Sequence, residues 1–415
     1  MGALRSYALV TGAYWAFTLT DGALRMLVLL HFHELGYSAV QLAFLFVFYE
    51  LFGIVTNLFG GWLASHVGLR ATLFSGLVLQ VAALVMLSFV APGWPRAASV
   101  AYVMAAQALS GIAKDLTKMS AKSSIKVLVP AGGASKLFKW VAVLTGSKNA
   151  LKGAGFFLGG VLLAALGFVH ALWAMAGVLL LVLVGCVLSL PGEMGKAKNK
   201  SKLGQLLSKS REVNVLSAAR FFLFGARDIW FVVAVPVFLS VKLGWGFTEV
   251  GAFLALWVVG YGVVQSAAPA LIARWTGGAA PQGRAALVLA LILAGTSALM
   301  ALGIASGVSP SAMLIGGLGL FGAVFAVNSS VHSYLILAYS DADKVATNVG
   351  FYYMANAGGR LAGTLLSGAL YQLAGITGCL WGTVVFAATT AGISLLLPRG
   401  APPPLPAGTK LEAGD

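Results

Sequence analysis

Charge is scarce in this sequence, and so are the patterns that build catalytic and metal sites. Only 9% of its 415 residues are Asp, Glu, Lys or Arg, whereas a soluble globular domain carries about 25%. The two cysteines, Cys186 and Cys379, lie in separate apolar runs without ligand spacing, so we expect buried thiols. The chain has no H-E-x-x-H, C-x-x-C, Walker or G-x-S-x-G motif. We therefore predict a protein that is not an enzyme, with no catalytic residue, metal or cofactor, and without ATP as its direct energy source.

Long apolar runs are abundant instead. Hydrophobic residues make up 59% of the chain and the mean hydropathy is +0.92. A membrane helix needs about 20 such residues, and the runs are too long and continuous for barrel strands. We expect the first run to be a retained helix rather than a cleaved signal peptide. Twelve spans are predicted, near residues 7–30, 39–63, 71–91, 97–119, 138–167, 169–190, 213–240, 248–272, 286–306, 311–337, 346–372 and 376–397.

The basic residues between these runs predict the orientation. Sixteen of the 27 Lys and Arg fall on the side that holds both termini, and only Arg96 and Lys242 fall on the other side. Loops rich in Lys and Arg stay in the cytoplasm, so we expect both termini to be cytoplasmic. The net charge of +15 is then a signal of topology, and we expect lipid rather than nucleic acid around the protein.

A basic linker divides the predicted spans into six and six. We expect an all-α membrane protein with an N-terminal bundle (1–190), a cytoplasmic linker (191–212), a C-terminal bundle (213–397) and a disordered tail (398–415). The two parts echo each other, because Asp21 and Asp228 lie 207 residues apart and a Leu-Gly pair recurs at 35–36 and 243–244. Two parallel six-helix halves with a substrate site between them are typical of the major facilitator fold.

Charged residues inside the apolar runs are the main functional signal. A charge at the bilayer centre costs at least about 2.5–3.5 kcal/mol. Asp21 and Arg25 are four residues apart, so they share a helix face and can pair, and Lys148 and Lys152 repeat that spacing with like charges. The predicted spans contain four acids, Asp21, Glu50, Asp115 and Asp228. They contain twice as many cations: Arg25, Lys114, Lys118, Lys148, Lys152, Arg220, Arg227 and Arg360.

Four acids cannot neutralise eight cations, and a surplus of four facing lipid would cost on the order of 10 kcal/mol. Ion pairs between helices are the plainer interpretation of each charge taken singly. A water-filled cavity with positive walls accounts better for the surplus and would concentrate anions. Asp21, Glu50 and Asp228 are candidates for proton coupling. The predicted substrate-binding residues are Arg25, Lys118, Lys148, Lys152, Arg220, Arg227, Asn356 and Arg360.

Glycines and uncharged polar residues give weaker signals. Gly146, Gly155, Gly159 and Gly160 resemble part of a facilitator antiporter glycine motif, without its proline, although close helix packing explains them better. Polar residues at 328–334 and 348–356 either line the cavity or join helices, and the sequence does not decide between these roles.

Several strings of residues resemble the ArsJ family of major facilitator permeases over nearly the whole chain. They are YWAFTLTDGALRMLVLLHFHELGYS, FYELFGIVTNLFGGWL, AKDLTKMSAKSSIK, LFKWVAVLTGSKNALKGAGFFLGG, FLFGARDIWFVVAVPVFL and GFYYMANAGGRLAGTLLSGALYQ. The resemblance implies a bacterial plasma (inner) membrane protein that exports 1-arseno-3-phosphoglycerate and thereby confers resistance to arsenate. It also implies a functional link to glyceraldehyde-3-phosphate dehydrogenase, which makes that compound.

The charges agree with such a substrate, because phosphate and arsenate groups are oxyanions that arginine and lysine bind well. Two alternatives stay open from the residues. An organophosphate or phosphate antiporter would use a similar cationic pocket, whereas a proton-coupled drug exporter would favour an apolar or acidic one.

Overall fold

Helices make up the regular structure of the described residues. The computed structural model describes residues 2–91, 93–128, 134–190, 210–277, 281–339 and 345–398. Most of the predicted linker (191–209) and tail (399–415) lie outside this part of the chain. The helices are α1 (Gly2–Glu34), α2 (Ala39–Leu45), α3 (Val47–Val67), α4 (Leu69–Ser88), α5 (Arg96–Leu128), α6 (Ala134–Ser189), α7 (Arg211–Phe231), α8 (Ala234–Leu243), α9 (Phe247–Thr276), α10 (Gly283–Ala305), α11 (Pro310–Ala338) and α12 (Val345–Ser394).

The outer surface is suited to lipid. Leu181, Leu188 and Leu373 are 75%, 82% and 83% exposed, and many other large apolar side chains also point outward. A continuous apolar surface of this kind is unfavourable in water and favourable in a bilayer. Together with the length of the helices, it identifies a multi-pass membrane protein.

The predicted number of twelve spans is not confirmed. Within the described residues, eight helical stretches are long and apolar enough to cross a membrane. Two predicted spans, on α1 and α5, are absent from these eight, since α1 carries several threonines with its charges and α5 carries a run of lysines, which lower the hydropathy. Two more are lost because Ser147–Ser189 and Gly350–Ser394 are each counted once, although they are 43 and 45 residues long.

Both of these long helices change direction at a glycine. In α12 the backbone leaves helical geometry at Ala374 and Gly375, and the Cys379 thiol lies 3.6 Å from the Ser367 carbonyl oxygen. Twelve residues of straight helix would separate those positions by about 18 Å. The chain therefore folds back on itself at Gly375. Gly167, with φ +71°, interrupts α6 in the same way, because only glycine adopts such a conformation without strain.

The α7–α8 break has a local cause. Pro236 lacks an N–H, and its ring clashes with the carbonyl group four residues earlier, which ends α7 near Val232. The freed N–H groups of Val233 and Ala234 donate to the Ser367 hydroxyl at 3.3 and 3.1 Å. The break places Asp228, which lies one turn before it, against α12.

Small residues let the helices approach closely. A Cβ atom at Gly155 would collide with the Leu19 carbonyl oxygen, and one at Gly159 with the Ala23 carbonyl oxygen, so α6 packs backbone to backbone on α1. This agrees with the packing interpretation of the glycine motif.

Other glycines join helices from before and after residues 191–209. A Cβ atom at Gly153 would lie 2.8 Å from the Ala255 carbonyl oxygen, and one at Gly251 would lie 2.8 Å from the Phe156 carbonyl oxygen. These contacts form a seam of bare backbone between α6 and α9. In a second contact of this kind, a Cβ atom at Gly368 of α12 would collide with the Ala39 carbonyl oxygen of α2, and α3 also packs on α12. A cavity lies between the two contacts.

Candidate functional site

The cavity is lined by residues from both parts of the chain. It has a volume of about 250 Å³, and α1, α3, α5 and α6 contribute to its wall together with α7, α9, α11 and α12. All eight predicted substrate-binding residues lie on this wall: Arg25, Lys118, Lys148, Lys152, Arg220, Arg227, Asn356 and Arg360. Among the proton-coupling candidates Asp21 and Asp228 also line the cavity, whereas Glu50 lies behind its wall, fully buried.

Positively charged residues outnumber negatively charged ones on the cavity wall. The eight cations predicted from the sequence, including Lys114, all line the cavity. Asp21, Asp115 and Asp228 are the only carboxylates among its described lining residues, and Glu50 is a fourth directly behind. Eight against four leaves a surplus of four positive charges around one small volume.

A network of arginines and carboxylates lies at its centre and joins the two parts of the chain. The Glu50 Oε1 atom on α3 accepts hydrogen bonds from Arg360 at 2.6 Å and Arg25 at 3.3 Å. The Arg360 Nε atom on α12 also donates to Asp228 at 3.1 Å, and Asp228 forms a second ion pair with Arg227. Each acid in this network therefore serves two guanidinium groups.

The predicted pairing of Asp21 with Arg25 is not observed. Both Asp21 carboxylate oxygens accept from the Tyr49 hydroxyl, at 2.8 and 2.9 Å, while Arg25 turns to Glu50. In the described part of the chain Asp21 has no ion pair. Two adjacent residues of α3, Tyr49 and Glu50, thus separate a pair that the helix spacing alone would allow.

A second cationic cluster lies on α5. The Lys118 ammonium group contacts Asp115 at 2.5 Å and the Asn57 side-chain oxygen at 2.7 Å. Lys114 lies 3.9 Å from Asp115 and 4.1 Å from the centre of the Tyr49 ring. Both lysines line the cavity, where a carboxylate and an aromatic ring hold their ammonium groups.

Arg220 is held without a carboxylate. Its Nε atom donates to Asn356 at 3.0 Å, and its Nη1 atom donates to the carbonyl and hydroxyl oxygens of Ser329 at 3.2 and 3.1 Å. Its guanidinium carbon lies 3.9 Å from the centre of the Phe224 ring. No Asp or Glu of the described residues pairs with it, so a buried guanidinium group of fixed orientation keeps its full charge.

Lys148 and Lys152 both line the cavity, as their spacing on one face of α6 predicts. In the part of the chain that the structure describes, the Lys152 ammonium group makes no ion pair or hydrogen bond. It lies over the Phe156 ring, with the centroid 5.8 Å away. An ammonium group in this position is available to an anion.

Sequence reasoning missed several uncharged groups. Asn149 on α6 donates to Gln265 on α9 at 3.0 Å, directly beside Lys148, and both residues line the cavity. Polar side chains inside apolar runs were the available signal for Asn57 and Gln265. Tyr49 and the aromatic rings of the wall gave no signal, because an apolar sequence contains many similar residues.

The weaker candidates divide between the two roles. Ser329, Tyr353 and Asn356 line the cavity, whereas Asn328 and His332 are buried away from it. Both cysteines are free and buried, as predicted.

Comparison with known proteins agrees with this arrangement. The profile described as Major Facilitator Superfamily matches residues 10–277, which is more than half of the chain. The chain belongs to the Major Facilitator Superfamily. Its members are typically secondary transporters rather than enzymes, so a cavity between two groups of helices is where a transported molecule would bind. A comparison with curated proteins gave no match.

Proposed function

We propose that this facilitator is a secondary active efflux transporter of a multiply charged anion, 1-arseno-3-phosphoglycerate, and that it confers resistance to arsenate. The observation that carries the proposal is the surplus of four positive charges around one cavity. Facing lipid, this surplus would cost on the order of 10 kcal/mol, whereas a bound anion neutralises it. The substrate itself comes from the resemblance to the ArsJ family.

The chemistry of the cavity suits pentavalent arsenic and phosphate. Both are oxyanions, which arginine binds through paired N–H donors and lysine through its point charge. Within the described residues, neither Arg220 nor Lys152 forms an ion pair with a carboxylate. The buried, separate cysteines would not suit trivalent arsenic, which needs several thiolates together.

The transport cycle in this proposal is alternating access between two six-helix bundles. The bundles are the residues before and after the linker, and α6 and α12 each supply two spans because they reverse at Gly167 and Gly375. Both termini then lie in the cytoplasm of a bacterial cell, and the protein resides in the inner membrane. Substrate enters from the cytoplasm and leaves when the bundles rock against each other around the cavity.

Asp21 is the residue that we assign to proton coupling. Glu50 and Asp228 each bond two arginines and act as fixed counter-ions. Asp21 faces the cavity and accepts hydrogen bonds from a neutral tyrosine only, among the described residues. A proton on Asp21 would therefore break no ion pair.

The test compares an arsenate-sensitive bacterium that expresses the dehydrogenase with the same bacterium lacking it. The wild-type transporter should restore growth on arsenate only when the dehydrogenase is present, and Lys152→Gln should abolish this effect. Lys242→Gln is the matched control, because Lys242 is exposed and remote from the cavity.

Resistance that does not need the dehydrogenase would contradict the proposed substrate. Exchange of 3-phosphoglycerate for phosphate in vesicles without arsenate would favour the organophosphate antiporter instead. Full resistance of the Lys152→Gln variant would remove that lysine from the site.

A further inference from the structure

A continuous wall of aromatic rings forms one side of the cavity, which the charges do not explain. Phe156 contacts Phe231 with ring centres 5.9 Å apart, and Phe231 contacts Trp257 at 5.1 Å. Trp257 in turn stacks on Tyr261 at 5.9 Å and with only 9° between the ring planes. All four rings line the cavity, and they come from α6, α7 and α9.

The wall offers mainly ring faces to a ligand. The Trp257 indole N–H already donates to the Leu318 carbonyl oxygen at 2.7 Å, so it has no donor for a ligand. Phe156 and Phe231 have no polar group. The Trp257 and Tyr261 rings are parallel and partly exposed, so α9 presents aromatic rings to the cavity, with the Tyr261 hydroxyl as their one remaining polar group.

Two cations, Arg227 and Lys152, lie over rings of this wall. The Arg227 guanidinium carbon lies 5.6 Å from the centre of the Phe231 ring, and Lys152 lies 5.8 Å from that of Phe156. An oxyanion bound at these cations would place its carbon substituent against the rings. A planar substituent would gain stacking contact, whereas a hydroxylated chain would exchange hydrogen bonds to water for apolar contact.

We propose that the cavity takes a second class of ligand, oxyanions that carry a planar aromatic group, such as arylarsonates and arylphosphonates. This inference rests on the proposed function in one respect, that the cavity binds oxyanions. It does not depend on 1-arseno-3-phosphoglycerate being the transported compound.

The experiment compares three probes on the purified full-length protein in lipid nanodiscs. Affinities for phenylphosphonate, methylphosphonate and glycerol 3-phosphate are measured by calorimetric titration, at a pH where all three are dianions. Aromatic stacking beyond simple burial predicts that phenylphosphonate binds about three- to tenfold more tightly than methylphosphonate. Glycerol 3-phosphate should not exceed phenylphosphonate.

Substitutions in the wall test whether its rings cause the preference for phenylphosphonate over methylphosphonate. Trp257→Leu should bring the ratio of the phenylphosphonate and methylphosphonate affinities close to one, and Tyr261→Leu should lower it. Phe321→Leu is the control, because Phe321 belongs to the same group of rings, contacts Trp230 and Phe325, and does not line the cavity. It should leave the ratio unchanged.

The outcomes separate this inference from the proposed function. Equal affinities for phenylphosphonate and methylphosphonate, or a tighter binding of glycerol 3-phosphate, would overturn the aromatic ligand while leaving an anion transporter. Binding of none of the probes would overturn both. If both wall variants fail to fold, the comparison of the three probes on the wild-type protein still decides.

Discussion

Replacing Glu50 with Gln should destabilise the folded protein more than replacing its partner Arg25 with Gln. Glu50 is fully buried, and its Oε1 atom serves Arg360 and Arg25 at once. Gln keeps the shape and one acceptor oxygen but removes the charge. Breaking a buried ion pair by removal of one partner costs about 3–5 kcal/mol, because the remaining charge stays buried.

Replacing Arg25, the other partner of this ion pair, with Gln should cost less. In Arg25→Gln, Glu50 keeps its shorter bond to Arg360, so we expect a loss of about 1.5–3 kcal/mol, the value of one hydrogen bond to a charged group. The double variant should lose less free energy of unfolding than the sum of the two single losses, because both single variants remove the same Arg25–Glu50 contact.

The measurement is the free energy of unfolding, from denaturation of the protein in mixed detergent micelles. Glu34→Gln is the control, because Glu34 is exposed at the end of α1 and should change stability by less than about 0.5 kcal/mol. A loss for Arg25→Gln as large as that for Glu50→Gln would refute the shared role of the carboxylate.

Three further outcomes are expected. Gly159→Val should prevent the close approach of α6 to α1 and reduce the yield of folded protein in size-exclusion chromatography, whereas Gly177→Val, at a position with open space, should not; equal yields would contradict the packing. Arg220→Lys keeps the charge but loses the forked contacts with Ser329, so the KM for the exported anion should rise about tenfold or more in vesicle uptake; an unchanged KM would argue against the role of the fork. Asp21→Asn should abolish uptake driven by a pH gradient and preserve counterflow between substrate pools, and retention of both would exclude Asp21 from coupling.

The sequence predicted where the charges lie better than how they pair. Charges in apolar helices must point away from lipid, so the inward position of residues such as Lys148 and Arg227 follows from their cost in a bilayer. Pairing depends on tertiary contacts instead. Glu50 and Arg360 are 310 positions apart, and only the packing of α3 on α12 brings them together.

Other parts of the site and fold had signals that were weak or misread. Asp115 and Lys118 are three residues apart on one helix, a spacing that allows the observed ion pair. The aromatic wall could not be predicted, since its rings are common in any membrane helix. The number of spans depends on reversals at single glycines, which hydropathy does not detect.

The contact between α6 and α9 has a mechanical consequence. At Gly153 and Gly251 peptide groups of one helix approach the other helix closely, although the Asn149–Gln265 hydrogen bond also joins the two helices. A glycine has no side chain to interlock, so one helix can roll over the other at these two points. Resistance to a relative rotation would then be concentrated elsewhere, in the ionic contacts of Arg360, where an arriving anion is able to replace the carboxylates.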